Sequence, residues 1–534
     1  MATDHLRPAG WFQSPVSPTS GNPGCDSFND RASRHPGIKL NDRPEGNTMA
    51  ERYQNYVGGA WTDATSGNVS TSINPADLSD VIGEFQASNS ADADAAITAA
   101  SDAKEGWRRT SSLARGSYLF KAAAYLENNL EEYAQAVTRE SGKAILESRG
   151  EVGRAIALLQ YYGVEGSNPV GTVVPSVNPN ILLYTNRMPL GVVSLITPWN
   201  FPLAIPIWKM APALVYGNTV VLKPASATPY VATLIARMWE AVDLPSGVFN
   251  LLTGSGGTVG NELITSPMVS AISFTGSTRI GMQIAAESAK RGNKYQLEMG
   301  GKNPVIVLPD ADLEQAAEIT VSGAMKYSGQ KCTATSRAIV VGNVMEEFTS
   351  LVVDKTRKLK IGPGIEEDSI VVPVIDQVSK DNIKSMIERG VADGGTVLTG
   401  GGAPTGPEYD AGTFVEPTVI TEVAPDAFVA CEEIFGPVLS IIPAADAEDA
   451  LEIANSVEYG LSAGIFTRNL NSVLDFADRI EAGIVKINGE TAGVEPQVPF
   501  GGMKASSSGN REQGKAAIEF FTQTKTIYVD RSAT

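Results

Sequence analysis

Cysteine is the strongest nucleophile this chain owns, and it has three: Cys25, Cys332 and Cys431. Cys332 stands in Ser328-Gly329-Gln330-Lys331-Cys332-Thr333, a polar setting whose neighbouring cation is able to favour thiolate. Cys431 stands in Ala430-Cys431-Glu432-Glu433, where two carboxylates disfavour it. If one of them attacks a substrate it is Cys332; the alternative is a buried, inert thiol. Its base is not a histidine, because the only two, His5 and His35, lie within the first 48 residues. That excludes most hydrolase triads and histidine-ligated metals, and leaves a carboxylate, a lysine or water. Glu298, in Leu297-Glu298-Met299-Gly300-Gly301, is the candidate. Apolar neighbours raise a carboxyl pKa towards the range useful for a base, although taken alone this residue also reads as a solvated turn carboxylate.

Two glycine runs offer themselves to a phosphate. Gly254-Ser255-Gly256-Gly257-Thr258-Val259-Gly260 has its last glycine one residue late for the dinucleotide pattern GxGxxG. Gly276-Ser277-Thr278-Arg279-Ile280-Gly281 follows an apolar run and opens a helical pattern, so backbone N–H groups and the Ser277 hydroxyl can face an anion. Each run alone is equally a tight turn. Both fall at the carboxyl ends of expected parallel strands, which is where such sheets bind ligands.

The elements that must position these residues follow from hydrophobic periodicity. From Ala91 to Gly163 the spacing is helical. From Met188 onward strands and helices alternate: strands at Val192–Ile196, Thr219–Leu222, Val248–Leu252, Val269–Phe274 and Val305–Leu308, helices at Pro206–Tyr216, Tyr230–Val242 and Ile280–Arg291. Apolar strands in βαβα order describe an α/β protein with a parallel sheet covered on both faces. A second α/β region runs from Asp310 to Val485. Residues 1–48, rich in Pro, Gly, Ser, Asn and Asp without apolar periodicity, read as a disordered extension, and Met49 is a candidate physiological start.

The chain has 534 residues and a formal net charge of −18, which argues against nucleic acid or an anionic membrane as partner. Acidic and basic residues balance over positions 1–48, so the excess lies on the body, and lysines are fewer than arginines. An ordinary acidic protein and a surface adapted to high salt both fit. No stretch approaches the ~18 apolar residues of a membrane helix. Three cysteines are too few for a disulfide framework, so the cytoplasm is the expected location.

Seven segments, in order, resemble the aldehyde dehydrogenase superfamily over residues 50–530: Ile196-Thr197-Pro198-Trp199-Asn200-Phe201-Pro202, Lys223-Pro224-Ala225-Ser226, Phe274-Thr275-Gly276-Ser277, Leu297 to Pro304, Gly329-Gln330-Lys331-Cys332, Glu432 to Pro437 and Pro499 to Lys504. The resemblance implies a Rossmann-like cofactor domain over residues 49–308 and an α/β catalytic domain over 309–485. It also implies a return to the cofactor domain over 486–534, and a small β oligomerisation arm from about 171–186 with Thr522 to Asp530. Such an arm implies a homotetramer or homodimer. Cys332 is then the nucleophile, Asn200 the oxyanion donor together with the Cys332 N–H, and Glu298 the base that hydrolyses a thioester. Lys223 and Glu433 bind cofactor hydroxyls, Phe435 packs near the nicotinamide ribose, and Thr197, Pro198 and Trp199 line its path. Ser277 and Gly256 approach the pyrophosphate and adenine. No metal is implied.

Within the superfamily the chain most resembles the 2-oxoglutarate semialdehyde (2,5-dioxopentanoate) dehydrogenases of sugar-acid oxidation, through Ala204 to Gly217, Lys294 to Glu298, Cys332 to Arg337 and Ala492 to Glu495. Succinate semialdehyde dehydrogenases are near neighbours; the positions of their substrate-binding arginine pair hold Asn168 and Lys326 here. Lys326 can meet a carboxylate as a point charge, and Arg154 is a second candidate. A CoA-acylating relative is an alternative that Glu298 speaks against, and a non-catalytic protein on the same fold is another. NAD-selective relatives commonly carry glutamate three residues after the strand-end lysine. Ser226 stands there, so NADP is the expected cofactor, with NAD the alternative.

Overall fold

The apolar runs assemble into two seven-stranded sheets. The computed structural model describes residues 50–168 and 170–533; the extension expected over residues 1–48 lies outside them. In the first sheet, Lys294–Glu298, Val269–Thr275, Val192–Ile196, Thr219–Lys223 and Phe249–Leu251 run parallel in that spatial order. The hairpin of Asn55–Val57 and Ala60–Thr62 closes one edge antiparallel. The parallel part starts in its middle, at Val192–Ile196, builds outward through Thr219–Lys223 and Phe249–Leu251, and returns to the other side with Val269–Thr275. The loops leaving Val192–Ile196 and Val269–Thr275 therefore diverge, opening a crevice at their carboxyl ends.

These strands are buried on both faces, which is why their sequences read as continuous apolar runs. Val193, Leu195, Val220 and Leu222 face one core, shared with the helices Ala204–Val215 and Pro229–Ala241. Val192, Val221, Ile272 and Phe274 face another, shared with Ser90–Arg109 and Thr278–Arg291. The alternation is the two-residue period of a strand.

The second sheet is ordered Thr396–Thr399, Thr418–Thr421, Val438–Ala444, Thr335–Val341, Asn303–Val307, Ser462–Phe466, Ile484–Ile487, parallel except for its first strand. This corrects two boundaries. Asn303–Val307, expected as the last strand of the cofactor region, pairs with Thr335–Val341 and Ser462–Phe466 instead. The border between sheets thus falls at Met299 to Lys302 rather than after residue 308. An apolar run shows that a strand is buried but not in which sheet; Gly300-Gly301 is where the chain changes sheets. The strand Ile484–Ile487 likewise carries the second sheet past residue 485. The return is made later, where Met299 N donates to Ser506 O at 2.8 Å and Phe520 and Phe521 bury in the first core.

Ile181–Pro189 and Thr522–Asp530 pair antiparallel along their whole lengths, with Val173–Val174 on the outer edge. Val173, Leu182, Tyr528 and Val529 are exposed on this ribbon. Among the described residues, no helix is long and apolar enough to cross a membrane.

Candidate active site

The loop after Val192–Ile196, at the carboxyl end of a strand of the first sheet, meets the turn before Thr335–Val341, at the amino end of a strand of the second. After the helix Leu313–Met325, the residues Tyr327, Ser328 and Gly329 adopt left-handed backbone, with φ of 54°, 49° and 67°. For tyrosine and serine that conformation costs on the order of 1 kcal/mol or more each, so surrounding bonds must hold it. Ser328 Oγ donates to Val372 O and accepts from Val372 N at 2.9 Å. The Gln330 side chain accepts from Ile375 N at 2.9 Å and donates to Tyr327 O and Pro373 O at 3.2 Å. A Cβ on Gly329 would stand 2.1 Å from Gly436 O, so only glycine fits. This turn delivers Cys332, half-buried, just ahead of the strand Thr335–Val341, and Asn303 Nδ2 bonds Cys332 O at 2.8 Å.

Burial, with the Glu433 and Glu298 carboxylates, pushes the Cys332 thiol up. The expectation that Lys331 favours thiolate is overturned: its ammonium turns to Glu490 Oε1 at 3.4 Å. Glu298 ends the strand Lys294–Glu298 and is buried, not a solvated turn residue. Its Oε2 accepts from Ser507 Oγ, while Oε1 is buried without a partner among the described residues. Burial and then the nearby Glu512 push this carboxyl well above the usual range, against the pull of Ser507, Lys209 and Arg511. Asn200, buried in the loop after Val192–Ile196, donates Nδ2 to Gln330 O at 3.1 Å.

The residues expected to hold a cofactor gather at the crevice and beside it. Thr197 N donates to Lys223 O at 3.1 Å, and Thr197 Oγ1 is buried without a partner. The Trp199 and Phe435 rings meet edge-on at 5.4 Å, and Pro198 lies half-buried next to Trp199. Lys223 is buried at its strand end, its Nζ donating to Pro224 O at 2.8 Å; burial pushes it down to about 8. Ser226 Oγ donates to Gly254 O at 3.3 Å, so the turn of Gly256 stands beside it. Gly256 is exposed with open space where a side chain would stand, and Ser277 caps Thr278–Arg291 with no bond to its own hydroxyl. Glu433 Oε1 accepts from Gly301 N at 3.0 Å, and burial pushes its carboxyl up to about 7.

The two cationic candidates are placed differently. Arg154, on the helix Ile145–Glu165, donates to Gln513 Oε1 at 2.8 Å and lies 5.9 Å from the centre of the Trp208 ring. Gln513 Nε2 is buried without a partner. Lys326, at the start of the Cys332 turn, is half-buried, and its ammonium has no hydrogen bond or ion pair among the described residues. Among the described residues no bond joins the two. Among the described residues there is also no group of three or more His, Cys, Asp or Glu that could hold a metal.

The sequence matches the aldehyde dehydrogenase family over residues 61–527. The chain belongs to that family. It is 48% identical over 482 residues to an alpha-ketoglutaric semialdehyde dehydrogenase of Bacillus subtilis (strain 168), covering 90% of this chain and 99% of the other. It is 43% identical over 481 residues to an alpha-ketoglutarate semialdehyde dehydrogenase of Haloferax volcanii, with coverage of 90% and 99%. The fold superposes on a betaine aldehyde dehydrogenase from Staphylococcus aureus in complex with NAD+ with a TM-score of 0.88, at 31% identity, covering 90% of this chain and 95% of that one. A nicotinamide dinucleotide, which the family implies, fits the crevice. Thr197 Oγ1 and Thr275 Oγ1 are orphaned at the two diverging strand ends, and the Gly256-Gly257 turn leaves room for close approach.

Sequence reasoning missed part of this aldehyde dehydrogenase site. Ser507, Glu512 and Gln513 come from a segment some 200 positions after Glu298, with no local pattern to mark them. Lys209 did carry a signal. It is the one charge in Ala204–Val215, a helix buried on all sides, and a buried ammonium requires an acid. It pairs with Glu512 and bonds Ser273 Oγ at 2.9 Å.

Proposed function

We propose that this aldehyde dehydrogenase oxidises 2-oxoglutarate semialdehyde to 2-oxoglutarate through a thioester on Cys332, as a step of sugar-acid degradation. The observation that carries the catalytic reading is the bond from Asn200 Nδ2 to Gln330 O beside a thiol whose charge neighbours include Glu298. Cys332 gives its proton to solvent water as Sγ attacks the carbonyl carbon and the carbonyl π pair moves onto oxygen, and the second Asn200 amide hydrogen and the Cys332 N–H hold the oxyanion. A nicotinamide dinucleotide, bound by Lys223, Ser226, Glu433, Phe435 and the Thr197-Pro198-Trp199 segment, supplies the hydride acceptor, with Gly256 and Ser277 towards its pyrophosphate and adenine. Glu298 then takes a proton from water through Oε1, its partnerless oxygen, while Ser507 fixes the other oxygen. Water attacks the thioester carbon and the Cys332 thiolate leaves.

The names of the two relatives support the substrate, and two cations near the site suit an aldehyde that ends in a carboxylate. Among the described residues Lys326 has no acidic partner, and the bond Arg154 makes is to a neutral amide. The missing carboxylate at Ser226 supports NADP. The exposed apolar side chains of Ile181–Pro189 and Thr522–Asp530 support assembly of copies through that ribbon. A substrate panel tests the reading: kcat/KM for 2-oxoglutarate semialdehyde is expected to exceed the values for succinate semialdehyde, glycolaldehyde and glyceraldehyde 3-phosphate by about tenfold or more. A preference for glycolaldehyde, which lacks the carboxylate, overturns it.

A further inference from the structure

Lys143 and Glu151 form an ion pair buried to the last few per cent, remote in sequence from Asn200, Glu298 and Cys332. Burying two charges costs several kcal/mol unless every lone pair and proton is matched, so the partners of this pair are informative. Lys143 Nζ bonds Glu151 Oε2 and donates to the backbone oxygen of Asn200 at 2.7 Å. Glu151 Oε1 accepts from Leu203 N at 2.9 Å and Ala204 N at 3.0 Å, the open N–H groups where Ala204–Val215 begins. The loop from Asn200 to Ala204 is thus bonded from both ends by one pair. The same ammonium stands 3.9 Å from the centre of the Phe201 ring and 4.5 Å from that of Tyr327, the fully buried residue that starts the left-handed turn. Ala144, the next residue, packs with Tyr327, Val372 and Trp199.

Lys143 therefore touches the loop carrying Asn200 and the turn delivering Cys332, which belong to different sheets. We propose that Lys143, oriented by Glu151, is a positioning residue that sets the Asn200 amide against Cys332. This rests on the oxyanion role given to Asn200. The ammonium fixes the Asn200 peptide through its carbonyl and the turn through the Tyr327 ring. The carboxylate holds the far end of the loop, so the amide cannot swing out of the position in which it bonds Gln330 O.

A double-mutant cycle tests this, because two residues that act through one interaction lose it only once. Lys143→Met is expected to lower kcat about tenfold to a hundredfold in the wild-type background and less than about twofold in an Asn200→Ala background. The Kd for the dinucleotide is expected to stay within about twofold in both. Lys143→Arg, which keeps the cation and its reach, is expected to recover part of kcat. Because a lone buried carboxylate can prevent folding, the cycle is repeated with the uncharged pair Lys143→Met/Glu151→Leu, which removes the same bonds without leaving a charge. Equal losses in the two Asn200 backgrounds overturn the inference while leaving the oxyanion role in place. An Asn200→Ala enzyme with unchanged kcat overturns that role and this inference with it.

Discussion

Asn200 and Gln330 are joined across the cleft: the Asn200 amide donates at 3.1 Å to the backbone oxygen two residues before Cys332. One amide hydrogen is spent on that bond, and under the proposed reading the other meets the oxyanion. A single oxyanion donor in a preorganised site contributes about 10²–10³ in kcat. Asn200→Ala is expected to lose that much in steady-state turnover while a dinucleotide titration gives a Kd near the wild-type value. A loss confined to KM would assign Asn200 to binding.

The two steps at Cys332 separate by mutation. Cys332→Ala is expected to abolish oxidation with cofactor affinity retained. Glu298→Gln keeps the side chain's shape and its acceptor for Ser507 but cannot take a proton from water. It is expected to release about one equivalent of reduced cofactor in a burst and to stop as an acyl adduct visible by mass spectrometry. Steady-state turnover equal to wild type would remove Glu298 from the base role.

Cofactor affinity is expected to follow pH in a bell. The Glu433 carboxyl is pushed up to about 7 and the Lys223 ammonium down to about 8, each by burial. The ionised carboxylate is the better acceptor for a ribose hydroxyl, so affinity rises as pH climbs through about 7. The ammonium loses its proton above about 8, so affinity falls again. The Kd from fluorescence titration is expected to be lowest between these values, with up to about tenfold weakening per pH unit on either side. Glu433→Gln is expected to flatten only the acid limb and Lys223→Met only the alkaline one. Wild-type affinity that is flat from about pH 6 to about pH 9 contradicts the assignment.

What the sequence made legible were features written in neighbouring residues. The strand Thr219–Lys223, buried throughout, could be read from its apolar run, and Gly329 from its place in the Cys332 motif. What it hid was set by distance. Nothing near Glu298 announces that Ser507 will hold one of its oxygens or that Glu512 will raise its pKa. Nothing near Cys332 shows that its thiol will be buried beside Glu433 and Glu298, which together push it up. Asn303–Val307 is the same case for the fold: burial was readable, but the partner strands were not.

The net charge of −18 lies on the body, where acidic residues repel one another across the surface. Raising ionic strength from about 0.1 M to about 1 M shortens the screening length from ~10 Å to ~3 Å. Exposed pairs such as Arg149 with Glu131 and Glu367 weaken in the process, but pairs so open to solvent add little to stability. We expect the thermal midpoint to rise by a few degrees with added KCl, and activity to rise with it. A midpoint indifferent to KCl leaves an ordinary acidic surface.

The choice between NADP and NAD turns on Ser226. It stands three residues after Lys223, and its hydroxyl bonds Gly254 O at 3.3 Å, beside the exposed Gly256 turn. A glutamate there would accept a bond from the adenosine ribose 2′-hydroxyl and repel a 2′-phosphate. The hydroxyl can donate to that phosphate by turning away from Gly254 O, and the Lys223 ammonium lies at the adjoining strand end. A missing repulsion permits NADP without rejecting NAD, so the test must compare both cofactors. Ser226→Glu is expected to raise KM for NADP by about tenfold or more, since a like-charge clash costs on the order of 1 kcal/mol or more, and to change KM for NAD little. The measurement is the ratio of kcat/KM values for the two cofactors in wild type and variant. A ratio unmoved by the substitution shows that Ser226 does not set the preference.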